Sequence, residues 1–164
     1  MISIASEPKD ANAKKVQAKV LIEAPPSMVW QTITNYPDLK NVLPGYEKST
    51  LIQSSGASKQ LDIAMKVAAF LPTYKYRVQV REQADSYQIT MHRISGDFKT
   101  LQATYKLIPQ GNGSKTLLTY CLSIDPGLNM PGSQAVIKSN TERSLKALES
   151  HVEAEARKRL IGQR

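Results

Sequence analysis

The sequence predicts an α+β fold. It reads as one antiparallel sheet of seven strands, with two short helices after the first strand and a long C-terminal helix across one sheet face. Three observations carry this. Apolar and polar residues alternate with period two through most of 14–125, apolar residues recur at helical spacing through 133–160, and the connections between strands fall into two chemically different sets.

The first strand is announced by Val16, Ala18, Val20 and Ile22, alternating with Gln17, Lys19 and Glu23. Ala24-Pro25-Pro26-Ser27 stops it, and Pro26 or Ser27 can open a helix because proline loses nothing in a first turn. Met28, Val29, Trp30 and Ile33 form that helix's apolar face; Asn35-Tyr36-Pro37 breaks it, and a second short helix over 38–42 ends at Leu43-Pro44-Gly45. In the strands that follow, Leu61, Ile63, Met65 and Val67 share one face. Tyr74, Tyr76, Val78 and Val80 alternate with Lys75, Arg77, Gln79 and Arg81; Leu101, Ala103, Tyr105 and Leu107, then Leu118, Tyr120, Leu122 and Ile124, repeat the pattern. One face is apolar and the other wet, as in an antiparallel sheet covered on one side. The cover is the final helix, whose stripe is Val136, Ile137, Thr141, Ser144, Leu145, Leu148, Val152 and Ala156. Its first half mixes Asn140, Thr141 and Ser144 with the aliphatic residues, so that half faces something other than a packed core. Residues 1–13 lack periodicity and are expected to be a flexible tail before a single domain over 14–161.

In a meander, alternate turns lie at opposite ends of the sheet. Ser54-Ser55-Gly56-Ala57-Ser58, Gln83-Ala84-Asp85-Ser86 and Pro109-Gln110-Gly111-Asn112-Gly113-Ser114 make one end polar. The other end carries Phe70, Leu71, Phe98, Leu128 and Met130. Loops are polar unless something apolar meets them, so these five residues are expected to ring a cavity mouth or a surface that touches lipid. For Phe70 and Leu71 a competing expectation is that they cap the core beneath the long helix.

Composition narrows the function classes. With one cysteine, Cys121, and two histidines among 164 residues, neither a disulfide framework nor a structural zinc site is expected. No apolar run of about 18 residues is present, nor a secretory-signal core in the first fifteen. The expectation is a cytoplasmic protein with scope for peripheral membrane contact. The formal charge of +8 fits either a solvated basic surface or attraction to anionic lipid. The basic residues are interspersed and no nucleic-acid-binding motif accompanies them, so nucleic acid is not an expected partner. No nucleophile elbow, metal-ligand cluster or phosphate loop occurs, and no cofactor is expected.

The run Ala24-Pro25-Pro26-Ser27-Met28-Val29-Trp30 through Asn35-Tyr36-Pro37-Asp38-Leu39, then Leu43-Pro44-Gly45-Tyr46, Gly96-Asp97-Phe98-Lys99 and Tyr105-Lys106-Leu107, resembles the START-like superfamily, in its polyketide cyclase/dehydrase and lipid-transport branch. The likeness spans nearly everything from Val16 to Ala156 and implies the helix-grip architecture, with a deep cavity between sheet and long helix that holds an apolar ligand. Candidate cavity residues are Trp30, Ile63, Met65, Tyr74, Tyr76, Met91, Arg93, Tyr105, Tyr120, Ile137 and Thr141. The aromatic ones would either line the cavity or simply pack. Arg93 would either join Ile89 and Met91 inside and hold a ligand carbonyl or anion, or sit at the rim in a surface ion pair. His92 has no carboxylate to orient it as a base, and Cys121 should face away from the cavity as a small packed residue.

The leading functional expectation is a non-enzymatic carrier or chaperone of a lipid, isoprenoid or quinone. A polyketide-type cyclase or dehydratase is the alternative, since a shaped cavity with few polar groups leaves little sequence signature. A ribosome- or protein-interaction module is a third reading, compatible with the basic charge.

Overall fold

The computed structural model describes residues 2–8, 14–127 and 133–162. The strands are β1 (Ile2–Pro8), β2 (Lys14–Ile22), β3 (Tyr46–Ser55), β4 (Ser58–Met65), β5 (Tyr74–Gln83), β6 (Gln88–Gly96), β7 (Thr100–Gln110) and β8 (Lys115–Asp125). Between β2 and β3 lie α1 (Pro26–Ile33), a short 3-10 turn (Tyr36–Asp38) and α2 (Leu39–Val42); α3 (Ser133–Gly162) closes the chain. The sheet is antiparallel in the order β1-β2-β8-β7-β6-β5-β4-β3. Strands β2 to β8 are the seven read from the sequence, and the long helix against one face makes this a START-like helix-grip fold.

Two features depart from the sequence reading. Ile2–Pro8 lies where a flexible tail is expected, yet it pairs with β2 from Ile2↔Val20 to Pro8↔Lys14. The outer edge of β2 offers a row of backbone donors and acceptors, and pairing along it is a main-chain matter that needs no side-chain periodicity. The second departure is a register shift in the β5–β6 ladder. Arg77 pairs with Ser95 and Val78 with Arg93, so Ile94 is the extra residue of a bulge.

The core lies between the apolar sheet face and the helices. Val16, Val20, Ile22, Leu61, Val78, Val80 and Leu118 are fully buried from the sheet, and Val29, Leu148 and Val152 meet them from α1 and α3. Pro26 opens α1 in its first turn, as the sequence predicts. At the polar end a buried clamp ties the helical insert to the sheet: Tyr36 donates its phenol hydrogen to Glu82, whose other carboxylate oxygen accepts from Lys59 at 2.6 Å. Burial, followed by that carboxylate, drives the Tyr36 phenol far above its ordinary range.

At the opposite end β6 closes tightly against β5. Gly96 adopts φ +96° opposite Tyr76, and a Cβ there would lie 2.5 Å from the Lys75 carbonyl oxygen and 2.6 Å from Tyr76 Cα. Only glycine fits. Two residues on, Phe98 also takes a left-handed φ of +69°, an uncommon conformation for a bulky residue.

Candidate functional site

Behind that end a cavity runs between the sheet and the first half of α3. About 120 Å³ of it is open to the centre of a water-sized sphere, roughly ten times what one water needs. The sheet wall comes from alternate residues of five strands: Ile63 and Met65, Tyr74, Tyr76 and Val78, Ile89 and Met91, Leu101, Ala103 and Tyr105, then Tyr120, Leu122 and Ile124. Period-two geometry is what puts them on one face. Ile33, Leu39, Leu43 and Tyr46 close one side, and α3 contributes Ser133, Val136, Ile137, Asn140, Thr141, Ser144, Leu145 and Leu148. The mixed polarity in the first half of α3 is thus cavity lining, while Val152 in its second half is core.

Among the described lining residues none carries a carboxylate, imidazole, amine or guanidinium. The polar groups are neutral: the phenols of five tyrosines, three hydroxyls and one amide. Four of the phenols act on one another. Tyr105 donates to the Tyr120 oxygen, the two rings standing 4.7 Å apart, and Tyr46 lies close enough to influence Tyr76, Tyr105 and Tyr120. Burial is the main reason that all four resist ionisation. It pushes Tyr46 up to about 12 and holds Tyr76, Tyr105 and Tyr120 well above the ordinary phenol range. They are therefore permanent hydrogen-bond donors near neutrality, not bases. Among the described residues, the hydroxyl of Tyr76 meets the Met65 sulfur at 3.8 Å, a weak partner. Asn140 Oδ1 is buried with no hydrogen-bond partner among the described residues, so it is an acceptor facing a polar deficit.

The mouth is built by the apolar turns. Phe98 turns its ring inward onto Tyr74 and Tyr76, at centroid distances of 4.9 and 5.1 Å. Its left-handed backbone and the neighbouring Gly96 turn are what aim it there. Leu71 also lines the cavity, whereas Phe70, at the tip of the turn closed by Leu71 N–H donating to the Ala68 carbonyl, is 78% exposed. The two residues that the sequence treats as a pair thus separate: one belongs to the cavity and one to solvent. Leu128 and Met130 lie outside the described residues.

Of the cavity candidates, Ile63, Met65, Tyr74, Tyr76, Met91, Tyr105, Tyr120, Ile137 and Thr141 come together around this space. Trp30 does not reach it; its indole packs edge-on against Tyr87, 5.6 Å between centroids. Arg93 does not either. Its backbone stays in register opposite Val78, but it is the last residue before the bulge at Ile94, and its guanidinium turns to the strand end, donating to the carbonyls of Gly96 at 2.8 Å and Asp97 at 3.3 Å. Cys121 faces away from the cavity but is exposed rather than packed, because no described element covers the outer sheet face. Tyr46 is the lining residue that the strand reading misses: it begins β3, a strand exposed along most of its length. Its place directly after Gly45 was the available signal.

The family model for polyketide cyclase / dehydrase and lipid transport matches residues 22–143. The chain belongs to that family. Among solved structures, a START superfamily protein from Mycobacterium smegmatis is similar, at 20% identity and a TM-score of 0.76, covering 85% of this chain and 97% of that one. The Zhui aromatase/cyclase from Streptomyces sp. R1128 is similar at 14% identity and TM-score 0.76, covering 88% and 96%. A STAR-related lipid transfer protein from Xanthomonas axonopodis is similar at 16% identity and TM-score 0.75, covering 92% and 93%. These likenesses concern the fold. No curated protein matches the sequence. Among the described residues, no helix is long and apolar enough to cross a membrane.

Proposed function

We propose that this family member binds an uncharged hydrophobic small molecule, of lipid, isoprenoid or quinone type, and carries it without chemical change. The observation that supports this is the lining: apolar walls with phenols, hydroxyls and one amide, and no described ionic side chain. An anionic head buried there would meet no countercharge, and desolvating it would cost several kcal/mol. A ligand carbonyl or hydroxyl, by contrast, would accept from Tyr76 or Tyr46, and a hydroxyl would also donate to Asn140 Oδ1. Entry is at the end carrying Phe70 and Leu71. Exposed Phe70, with Lys66, Lys75 and Lys99 on the flanking segments, suits brief contact with an anionic bilayer from which ligand is taken.

The cyclase or dehydratase reading is favoured by one arrangement, the Tyr105–Tyr120 hydroxyl pair, which could polarise a ketone. Raised phenol pKa values weigh against either acting as a base. Native mass spectrometry with organic extraction tests the proposal. A neutral apolar molecule recovered unchanged after re-binding supports carriage; turnover of a poly-ketone substrate, or a cavity that takes up neither such a molecule nor neutral Nile red, overturns it.

A further inference from the structure

The sheet is split at its apolar end. The β6–β7 ladder runs from Gln88↔Lys106 only as far as His92↔Gln102. Beyond that point the strands part: Ser95 and Gly96 pair with Arg77 and Tyr76 of β5, while Thr100 and Leu101 pair with Asp125 and Ile124 of β8. A cleft opens between them at the sheet's split end, lined by His92, Arg93, Lys99, Thr100, Gln102 and Ser123, together with Leu101. Leu101 is the one residue shared with the cavity lining.

The chemistry of the cleft is opposite to that of the cavity. Three basic side chains and three neutral hydrogen-bonding side chains converge, and the described lining contains no carboxylate. Of the acids beside it along the strands, Asp97 Oδ2 accepts from the Lys75 backbone N–H at 2.7 Å and Asp125 Oδ1 from that of Gly127 at 2.9 Å. Arg93 is held in place by its Nε and one Nη donating to the Asp97 and Gly96 carbonyls. Of its five N–H donors, those on the other Nη have no hydrogen-bond partner among the described residues. An immobilised guanidinium beside a lysine and neutral donors is the donor set that oxyanions take.

We infer that this cleft is a binding site for a phosphate-class oxyanion, distinct from the apolar cavity and separated from it by Leu101. The inference does not depend on what fills the cavity. Two sources share the chemistry: a free phosphate, or the phosphate head of an amphiphile whose chain enters through the split.

The test is an amide NMR titration of the full chain with inorganic phosphate, against sodium chloride at matched ionic strength. Saturable shifts confined to residues around 92–102 are expected. Lys99→Gln, and Arg93→Gln combined with Lys99→Gln, should each weaken binding, the double variant by tenfold or more. Lys106→Gln with Lys115→Gln, remote from the cleft, should change it less than twofold. Melting curves show whether the Arg93 variant remains folded, and Lys99→Gln decides the matter if it does not. Absence of saturable shifts, or equal weakening by the remote pair, overturns the site. A second arm replaces phosphate with dodecyl phosphate. Tighter binding that also displaces Nile red supports the amphiphile source, and equal affinity without displacement supports the free anion. Loss of Nile red binding alone would refute the cavity proposal and leave the oxyanion site standing.

Discussion

Replacing Phe70 with serine separates membrane contact from fold stability, because the structure gives this ring almost nothing to do inside the monomer. It is 78% exposed at a turn tip. Such a substitution should change folding stability by no more than about 0.5 kcal/mol, or roughly 1–2 °C in melting temperature for a domain of this size. Burying the ring in a bilayer would contribute on the order of 2 kcal/mol. Its loss should weaken binding to vesicles containing anionic lipid roughly 30-fold. Leu71→Ser is the internal comparison. That side chain lines the cavity and is half-buried, so its removal should cost on the order of 1–2 kcal/mol of stability and reduce uptake of an apolar probe. Vesicle co-sedimentation and thermal melting on the same samples give both readouts. The reasoning fails if Phe70→Ser melts several degrees lower, or if it binds vesicles as the parent does. Either result would mean that the ring packs on part of the chain outside the described residues, or that the apolar end serves something other than a bilayer.

Tyr76→Ala and Tyr105→Ala should each weaken Nile red binding several-fold, whereas Lys75→Ala and Lys106→Ala, exposed on the opposite face, should leave it within twofold; fluorescence titration well below the melting temperature checks this. Gly96→Ala should lower stability by roughly 2–4 kcal/mol, seen as a melting shift of around 10 °C, because its Cβ would have to displace the Lys75 carbonyl. The pH dependence has a definite sign. The buried phenols ionise less readily folded than unfolded, so their contribution is fully present below about pH 10 and is lost as pH rises through that value, towards about 12 for Tyr46. Urea unfolding between pH 7 and 11 should show the decline, and Tyr46→Phe should make it shallower; an identical slope in the variant would refute the assignment.

How far the sequence could be read follows from which physical signals are local. Alternation such as Tyr74-Lys75-Tyr76-Arg77-Val78 survives in any antiparallel sheet, so the inward Tyr74, Tyr76, Tyr105 and Tyr120 were legible residue by residue, while Tyr46 on the weakly patterned β3 was not. Alternation also assumes an unbroken ladder, and there it misled. Arg93 still pairs with inward Val78, but the bulge at Ile94 ends the regular strand just beyond it and its guanidinium turns to the Gly96 and Asp97 carbonyls; nothing in Met91-His92-Arg93-Ile94 announces that. Gly96 was the nearest hint, since a residue with φ +96° tight against Tyr76 forces the strand to adjust, but that closeness exists only once β5 is alongside. Trp30 shows the same limit from the other direction: helical spacing places it on an apolar face, and only the position of Tyr87 decides that it packs there rather than reaching the cavity. The split between β6 and β7 is less local still, because each strand keeps its other neighbour and loses only the one between them. The apolar lining is therefore a property of strand pattern and could be anticipated. The basic cleft outside it is a property of where one ladder stops, so His92, Arg93 and Lys99, unremarkable along the chain, become a cluster only in the folded sheet.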